Sequence, residues 1–177
     1  LRCSLISSDN AATRALARST GLSDLEFAGR MNERARRMGM THTIYHETTG
    51  LDPNNVSTAA DQAILLHAAT QNPLIREITS TPTYSFPCSR RVETLTNTNR
   101  LLKSRNDIVS GKTGFIRPAG FCLAMTIGQT DPRLTMVVLG ARSNAGRFAE
   151  STKLINWALG AMDGNVSAPA LIRSESK

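Results

Sequence analysis

The hydrophobic period changes close to residue 82, and this change restricts the fold more than any other feature. Before it, apolar residues recur at helical spacing, as with Phe27, Met31, Ala35 and Met38 in "SDLEFAGRMNERARRMGM". After it, "TYSFP", "RVETLT", "DIVSGKTGF", "GFCLAMTIG" and "LTMVVLGA" are strand-like, with "RPAG" and "QTDPR" as turns. Helices followed by strands predict an α/β chain of the α+β type, with a helical part over about residues 1–80 and an antiparallel sheet part over about 81–162. A last helix, "AGRFAESTKLINWALGAM", is expected to pack the sheet through Phe148, Leu154, Ile155, Ala158 and Leu159. Residues 163–177 are small and polar and read as a tail or linker.

Local signals agree with this division. Gly21 suits a helix end, Ser23 and Glu26 have capping-box spacing, and a helix starts at Ser57 or Thr58 with Asp61 in its first turn. Residues 41–55 are a loop rich in Thr, Gly, Asp, Pro and Asn. The net charge of +7 invites a nucleic-acid reading, but aromatics are only 5% and no aromatic–basic interleaving offers a base-stacking platform. Arg30, Arg34 and Arg37 then read as a solvated helix face. Cys3, Cys88 and Cys122 have no close pair and are expected to be small buried residues. His42 and His46 lie in a turn-like, extended context that holds them apart, so no metal is expected.

Two short motifs carry chemistry. Lys112-Thr113-Gly114 sits on the first strand of a hairpin with Gly111 just before it, and glycines within a strand mark close approach of another backbone or a ligand. Ser8-Asp9-Asn10 stands immediately before a helix, where these residue types also serve as caps. In this order the two resemble the S-D-N and K-T-G motifs of the penicillin-binding proteins and serine β-lactamases. The chain most resembles the low-molecular-mass D-alanyl-D-alanine carboxypeptidases and related endopeptidases that trim peptidoglycan. "SSDNAA", "MNERARRMGMTHT", "TTGLD", "STAADQAILL", "SGKTGFIRPAGF", "VVLGA" and "RFAESTKLINW" carry the likeness from about Leu1 to Ala161.

The resemblance implies a partial β-lactamase/transpeptidase-like fold, keeping three of five sheet strands, and a cleft whose sheet edge takes the substrate as an added strand. Gly111 and Gly114 would clear its path. Lys112 would set a positive charge beside the nucleophile, and the Thr113 hydroxyl would donate to the terminal carboxylate. Ser8 would relay a proton to the leaving amine, Asn10 would hold a substrate carbonyl, and Asp9 would face away. Arg147 would face the D-Ala carboxylate, a task that suits a guanidinium. The implied substrate is a peptidoglycan stem peptide ending in D-Ala-D-Ala, with β-lactams as inhibitors, no cofactor, and a site of action in the periplasm or outer envelope.

One motif is missing. The family's nucleophile is a Ser with a Lys one helical turn later, preceding S-D-N, whereas the only S-x-x-K here is Ser174 to Lys177 in the tail. The expectation is a fragment of a longer enzyme, or a chain completed by another. The alternatives are a D-Ala endopeptidase, a β-lactamase using Glu47 or Asp52 as general base, and a non-catalytic peptidoglycan-binding scaffold.

Overall fold

The structure is a computed structural model that describes residues 1–89, 91–128 and 134–162. The "QTDPR" turn, the polar tail and its Ser174–Lys177 match lie outside the described residues.

Five helices come first: α1 (Arg2–Ile6), α2 (Asn10–Arg18), α3 (Asp24–Arg37), α4 (Ala59–Thr70) and α5 (Pro73–Ser80). Their starts follow from capping side chains. Ser23 and Glu26 close a full capping box on α3, Thr58 accepts from Asp61 N on α4, and Asn72 accepts from Leu74 N and Ile75 N ahead of Pro73 on α5. The hydrophobic period does not announce α5, which is eight residues long. The Asn-Pro pair at its start was its signal.

The described strands form two separate antiparallel sheets. β1 (Thr83–Cys88) and β2 (Arg91–Thr96) make a two-stranded ribbon, and β3 (Ile108–Ile116), β4 (Gly120–Ile127) and β5 (Leu134–Ala141) follow in the order β3-β4-β5. A 3-10 turn, Arg100–Lys103, joins the two sheets. The ribbon leaves Cys88 exposed at its tip, contrary to the expectation of three buried thiols, because a two-stranded hairpin end has nothing to pack against. Cys3 and Cys122 are half-buried.

The main core lies between the three-stranded sheet and α6 (Asn144–Met162). Leu123, Met125 and Ile127 alternate inward along β4 and meet Ile155, all four at most 1% exposed. Burying each such side chain contributes about 1.5–3 kcal/mol. The helix face agrees with the expected one at Phe148 and Ile155 and departs from it at Leu154 and Leu159. Arg147, Ser151 and Ile155 form its buried stripe, while Leu154 and Leu159 are about 40% exposed. The reason is polar satisfaction: Ser151 Oγ donates to Arg147 O at 2.6 Å, and Arg147 reaches sheet carbonyls, so both residues can be buried.

Buried polar contacts fasten helices to the K-T-G strand. Thr79 Oγ1 on α5 lies 2.9 Å from Ser110 Oγ on β3. Asn97 Nδ2 donates to the carbonyls of Thr79 and Thr81, and Asn97 Oδ1 accepts from Asn99 N at 2.9 Å. Thr98 N donates to Ile6 O at 3.1 Å, which ties the end of α1 to the start of the turn. The two motifs are thus held from one short polar stretch, Asn97 to Asn99.

Candidate active site

Ser8 occupies the turn between α1 and α2 with φ +60, a conformation uncommon for a residue other than glycine. Asp9 explains the turn, since its carboxylate accepts from Ala12 N at 2.7 Å and caps α2 while its own N donates to Cys3 O. Asp9 is occupied by this cap. Asn10, the first residue of α2, is exposed, and its amide makes no hydrogen bond among the described residues.

Lys112 crosses to this turn from β3. Its Nζ donates to Ser8 Oγ at 2.7 Å, across 104 positions of sequence, and to Thr113 O at 2.9 Å. Burial pushes the ammonium down to about 8, and the Arg147 charge pushes in the same direction. No carboxylate partners it among the described ion pairs. A serine at positive φ that accepts from an amine whose pKa burial lowers is an arrangement able to pass a proton.

Thr113 is buried and donates its hydroxyl to Thr98 Oγ1 at 2.6 Å. Thr98 was not singled out from the sequence, because a Thr between two Asn residues reads as a turn. Gly111 is needed for packing: a β-carbon there would stand 3.2 Å from both Ala124 O and Asn99 Nδ2. The space it keeps open is therefore filled by the protein itself. A β-carbon on Gly114 would meet only Cys122 Cβ at 3.7 Å, and Gly114 is exposed.

Arg147 is not a surface arginine, being only 7% exposed. Its Nη1 donates to Gly114 O at 3.0 Å and Cys122 O at 3.2 Å, and its guanidinium lies over the rings of Phe121 and Phe148. It braces the K-T-G strand directly. β3 pairs with β4 alone among the described strands, so its other edge is free to hydrogen-bond. A cleft of about 840 Å³ runs beside Lys112, Gly114 and Phe115, with Tyr45, Glu47 and Thr49 contributing from the loop before α4.

Glu47 does not stand ready as a base. It accepts from Thr49 N at 2.7 Å, Leu51 N at 2.9 Å and Asn55 Nδ2 at 2.8 Å, and also from Gly50 N. Burial tends to raise its pKa, but these bonds outweigh burial and hold it at about 2. Asp52 accepts from Asn54 within its own turn. His42 and His46 are exposed on the same loop, with His42 Nδ1 beside Thr41 Oγ1.

Comparison with known proteins places the chain in a family. The sequence pattern described as D-alanyl-D-alanine carboxypeptidase matches residues 1–143. The chain belongs to the D-alanyl-D-alanine carboxypeptidase family. The D-alanyl-D-alanine endopeptidase of Pseudomonas aeruginosa is 37% identical over 160 residues, 89% of this chain and 52% of that protein. The D-alanyl-D-alanine carboxypeptidase DacC of Escherichia coli is 40% identical over 156 residues, 86% of this chain and 38% of that protein. The chain spans about half the length of its relatives or less. A crystal structure of a D-alanyl-D-alanine carboxypeptidase from Mycobacterium tuberculosis matches with TM-score 0.82 at 28% identity, covering 97% of this chain and 66% of that one. Penicillin-binding protein D2 of Listeria monocytogenes, in its cefotaxime-bound form, matches with TM-score 0.77 at 31% identity, covering 88% and 63%. The helical part and antiparallel sheet are thus a portion of the penicillin-binding fold, as the motifs led one to expect.

Proposed function

We propose that this chain forms the substrate-binding side of a serine D-alanyl-D-alanine carboxypeptidase cleft, acting on peptidoglycan stem peptides through an acyl-enzyme. The observation that carries the reading is the Lys112 Nζ to Ser8 Oγ hydrogen bond at the free edge of β3. The stem peptide adds as a strand to that edge, and the exposed Asn10 amide holds one of its carbonyls. Thr113 and Arg147 meet the D-Ala carboxylate, the threonine by turning its hydroxyl from Thr98 and the arginine by its charge.

In this reading the nucleophile is a serine of a further S-x-x-K segment that is not part of this sequence, the Ser174–Lys177 match in the tail being accidental. As its oxygen attacks the D-Ala carbonyl, the hydroxyl proton passes to the lysine of that segment; the C–N bond breaks, the leaving amine takes a proton through Ser8 from Lys112, and the two lysines exchange the balancing proton. Water then hydrolyses the ester. β-Lactams occupy the same cleft and stop at the acyl stage. The substrate places the protein outside the cytoplasm, in the periplasm or cell envelope. No described helix is long and apolar enough to cross a membrane.

The test is a titration of the isotope-labelled chain with diacetyl-L-Lys-D-Ala-D-Ala, followed by NMR. The expected result is a set of saturable shifts at Lys112, Thr113, Gly114 and Asn10, absent with the L-Ala-L-Ala peptide. Equal shifts with both peptides, or none along β3, would refute the reading.

A further inference from the structure

The substrate cleft does not end at the K-T-G motif. The first half of β3 is covered, since Ser110 is fully buried with its Oγ 2.9 Å from Thr79 Oγ1 of α5. The cleft of about 840 Å³ instead follows the strand from Lys112 through Gly114 and Phe115 to Ile116. Beyond Ile116 a second hollow of about 470 Å³ opens, and the two share Phe115, Pro118, Ala119 and Gly140 in their walls. The chemistry above makes no use of it.

The floor of this hollow is bare backbone. Gly120, at φ +69, lets the start of β4 lie against the end of β5, where a β-carbon would stand 3.1 Å from Gly140 Cα and Ala141 O. One wall is aromatic, with Phe115 stacked on Phe121 at 4.1 Å between centroids and still 55% exposed. The rim is cationic. Arg117 follows β3 and Arg142 follows β5, both exposed, and the register, with Ile116 opposite Gly120 and Phe121 opposite Ala141, brings them to one end of the sheet. Neither takes part in a described ion pair, and no carboxylate lines the hollow among the described residues. An apolar ring edged by two unpaired guanidiniums fits an aliphatic arm that ends in a carboxylate.

Strand geometry identifies the residue that would carry this arm. With the terminal D-Ala carboxylate at Thr113, a peptide added along β3 advances about 3.3 Å per residue, so the third residue from its C-terminus lies level with Phe115, about 7 Å further on. From there an arm of two or more methylenes and the long arginine side chains can meet across the hollow.

We propose that this hollow is the acyl-side specificity subsite of the cleft, and that it selects stem peptides whose third residue from the C-terminus carries an aliphatic arm ending in a carboxylate. The proposal rests on the peptidase reading and keeps D-Ala as the leaving residue. The Phe115–Phe121 pair packs the methylenes, and Arg117 and Arg142 take the carboxylate. Continuity with the cleft and the unbalanced positive charge favour this occupant over an uncharged glycan, which offers the rim no anion.

The test compares acetyl-L-Glu-D-Ala-D-Ala with the isosteric acetyl-L-Gln-D-Ala-D-Ala on the isotope-labelled chain by NMR. Both should shift Gly114 and Phe115, and the Glu peptide alone should shift the Nε–H groups of Arg117 and Arg142. At low salt it should bind about fivefold more tightly, the size expected of exposed ion pairs, and about 0.5 M NaCl should bring the ratio close to one. The Arg117→Ala/Arg142→Ala double variant should do the same at low salt. Arg34→Ala/Arg36→Ala, which removes equal charge from exposed positions of α3, should keep the ratio. Equal affinities in the wild type, a ratio that survives the first double variant, or an equal loss in the α3 variant would overturn the subsite while leaving the peptidase reading intact. Saturable shifts of Phe115 and Phe121 by chitotriose would assign the hollow to the glycan and overturn it likewise. Failure of both peptides to shift Gly114 would instead overturn the peptidase reading, and the subsite with it.

Discussion

Lys112 should make the stability of this protein rise with pH in a range where most proteins do not gain. Its ammonium is held at about 8, against an ordinary 10.5, by burial first and by Arg147 second. At about 1.36 kcal/mol for each pH unit, the full difference corresponds to about 3 kcal/mol. The folded pKa is the lower one, so between about pH 8 and 10.5 the unfolded chain binds more protons and folding becomes more favourable as pH increases. By pH 9.5 the gain relative to pH 7 amounts to about 2 kcal/mol. Lys112→Met removes the titrating group and keeps most of the apolar stem. Urea unfolding at pH 7.0, 8.5 and 9.5, followed by circular dichroism, should show the wild type gaining about 2 kcal/mol relative to the variant over this range. Parallel curves would refute the reasoning, because they would mean that Lys112 is solvated in the folded state.

Three further outcomes follow from single positions. Ser8→Gly relieves a positive φ that Ser8→Ala retains, so the glycine variant should be more stable by about 1 kcal/mol in urea unfolding although both lose the Lys112 contact. Gly111→Ala forces a methyl to 3.2 Å from Ala124 O and Asn99 Nδ2 and should cost about 1–3 kcal/mol, whereas Gly114→Ala, with only a 3.7 Å neighbour, should lie within about 0.5 kcal/mol of wild type. Glu47 is held at about 2 in the fold against an ordinary 4.5, so it stabilises above pH 4.5 and that contribution fades as pH falls toward 2. Glu47→Gln should therefore be destabilised at pH 7 in thermal melts and converge with wild type near pH 2.

The parts of the molecule differ in how openly the sequence states them. β3 and β4 are legible because Ile108 to Ile127 alternate around a Pro-Ala-Gly turn, and Lys112 and Ser8 because each sits within a motif that names a partner. The buried face of α6 is not, since hydrophobicity points to Leu154 and Leu159, whereas hydrogen bonds bury Arg147 and Ser151 instead. Asn97, Thr98 and Asn99 look like turn residues in the sequence. Only the fold shows that they join α1, α5 and β3 and receive the Thr113 hydroxyl. Gly111 was expected to clear room for a ligand, and the room turns out to be taken by Asn99 and Ala124. In each case the missed information is long-range: a polar side chain is buried by a partner far away in sequence, and no local pattern carries that.

In the proposed reading Ser8, Lys112 and Thr113 are one side of a serine peptidase cleft whose nucleophile lies on an S-x-x-K segment other than Ser174–Lys177. Intact-mass measurement after incubation with benzylpenicillin addresses this directly, with this chain alone and mixed with a polypeptide carrying that segment. The expected result is no adduct on this chain alone, and in the mixture one penicilloyl group on the serine of the added S-x-x-K segment, lost when Lys112 is replaced by alanine. A stoichiometric adduct on a serine of this chain alone, or an adduct in the mixture that is indifferent to Lys112, would contradict it.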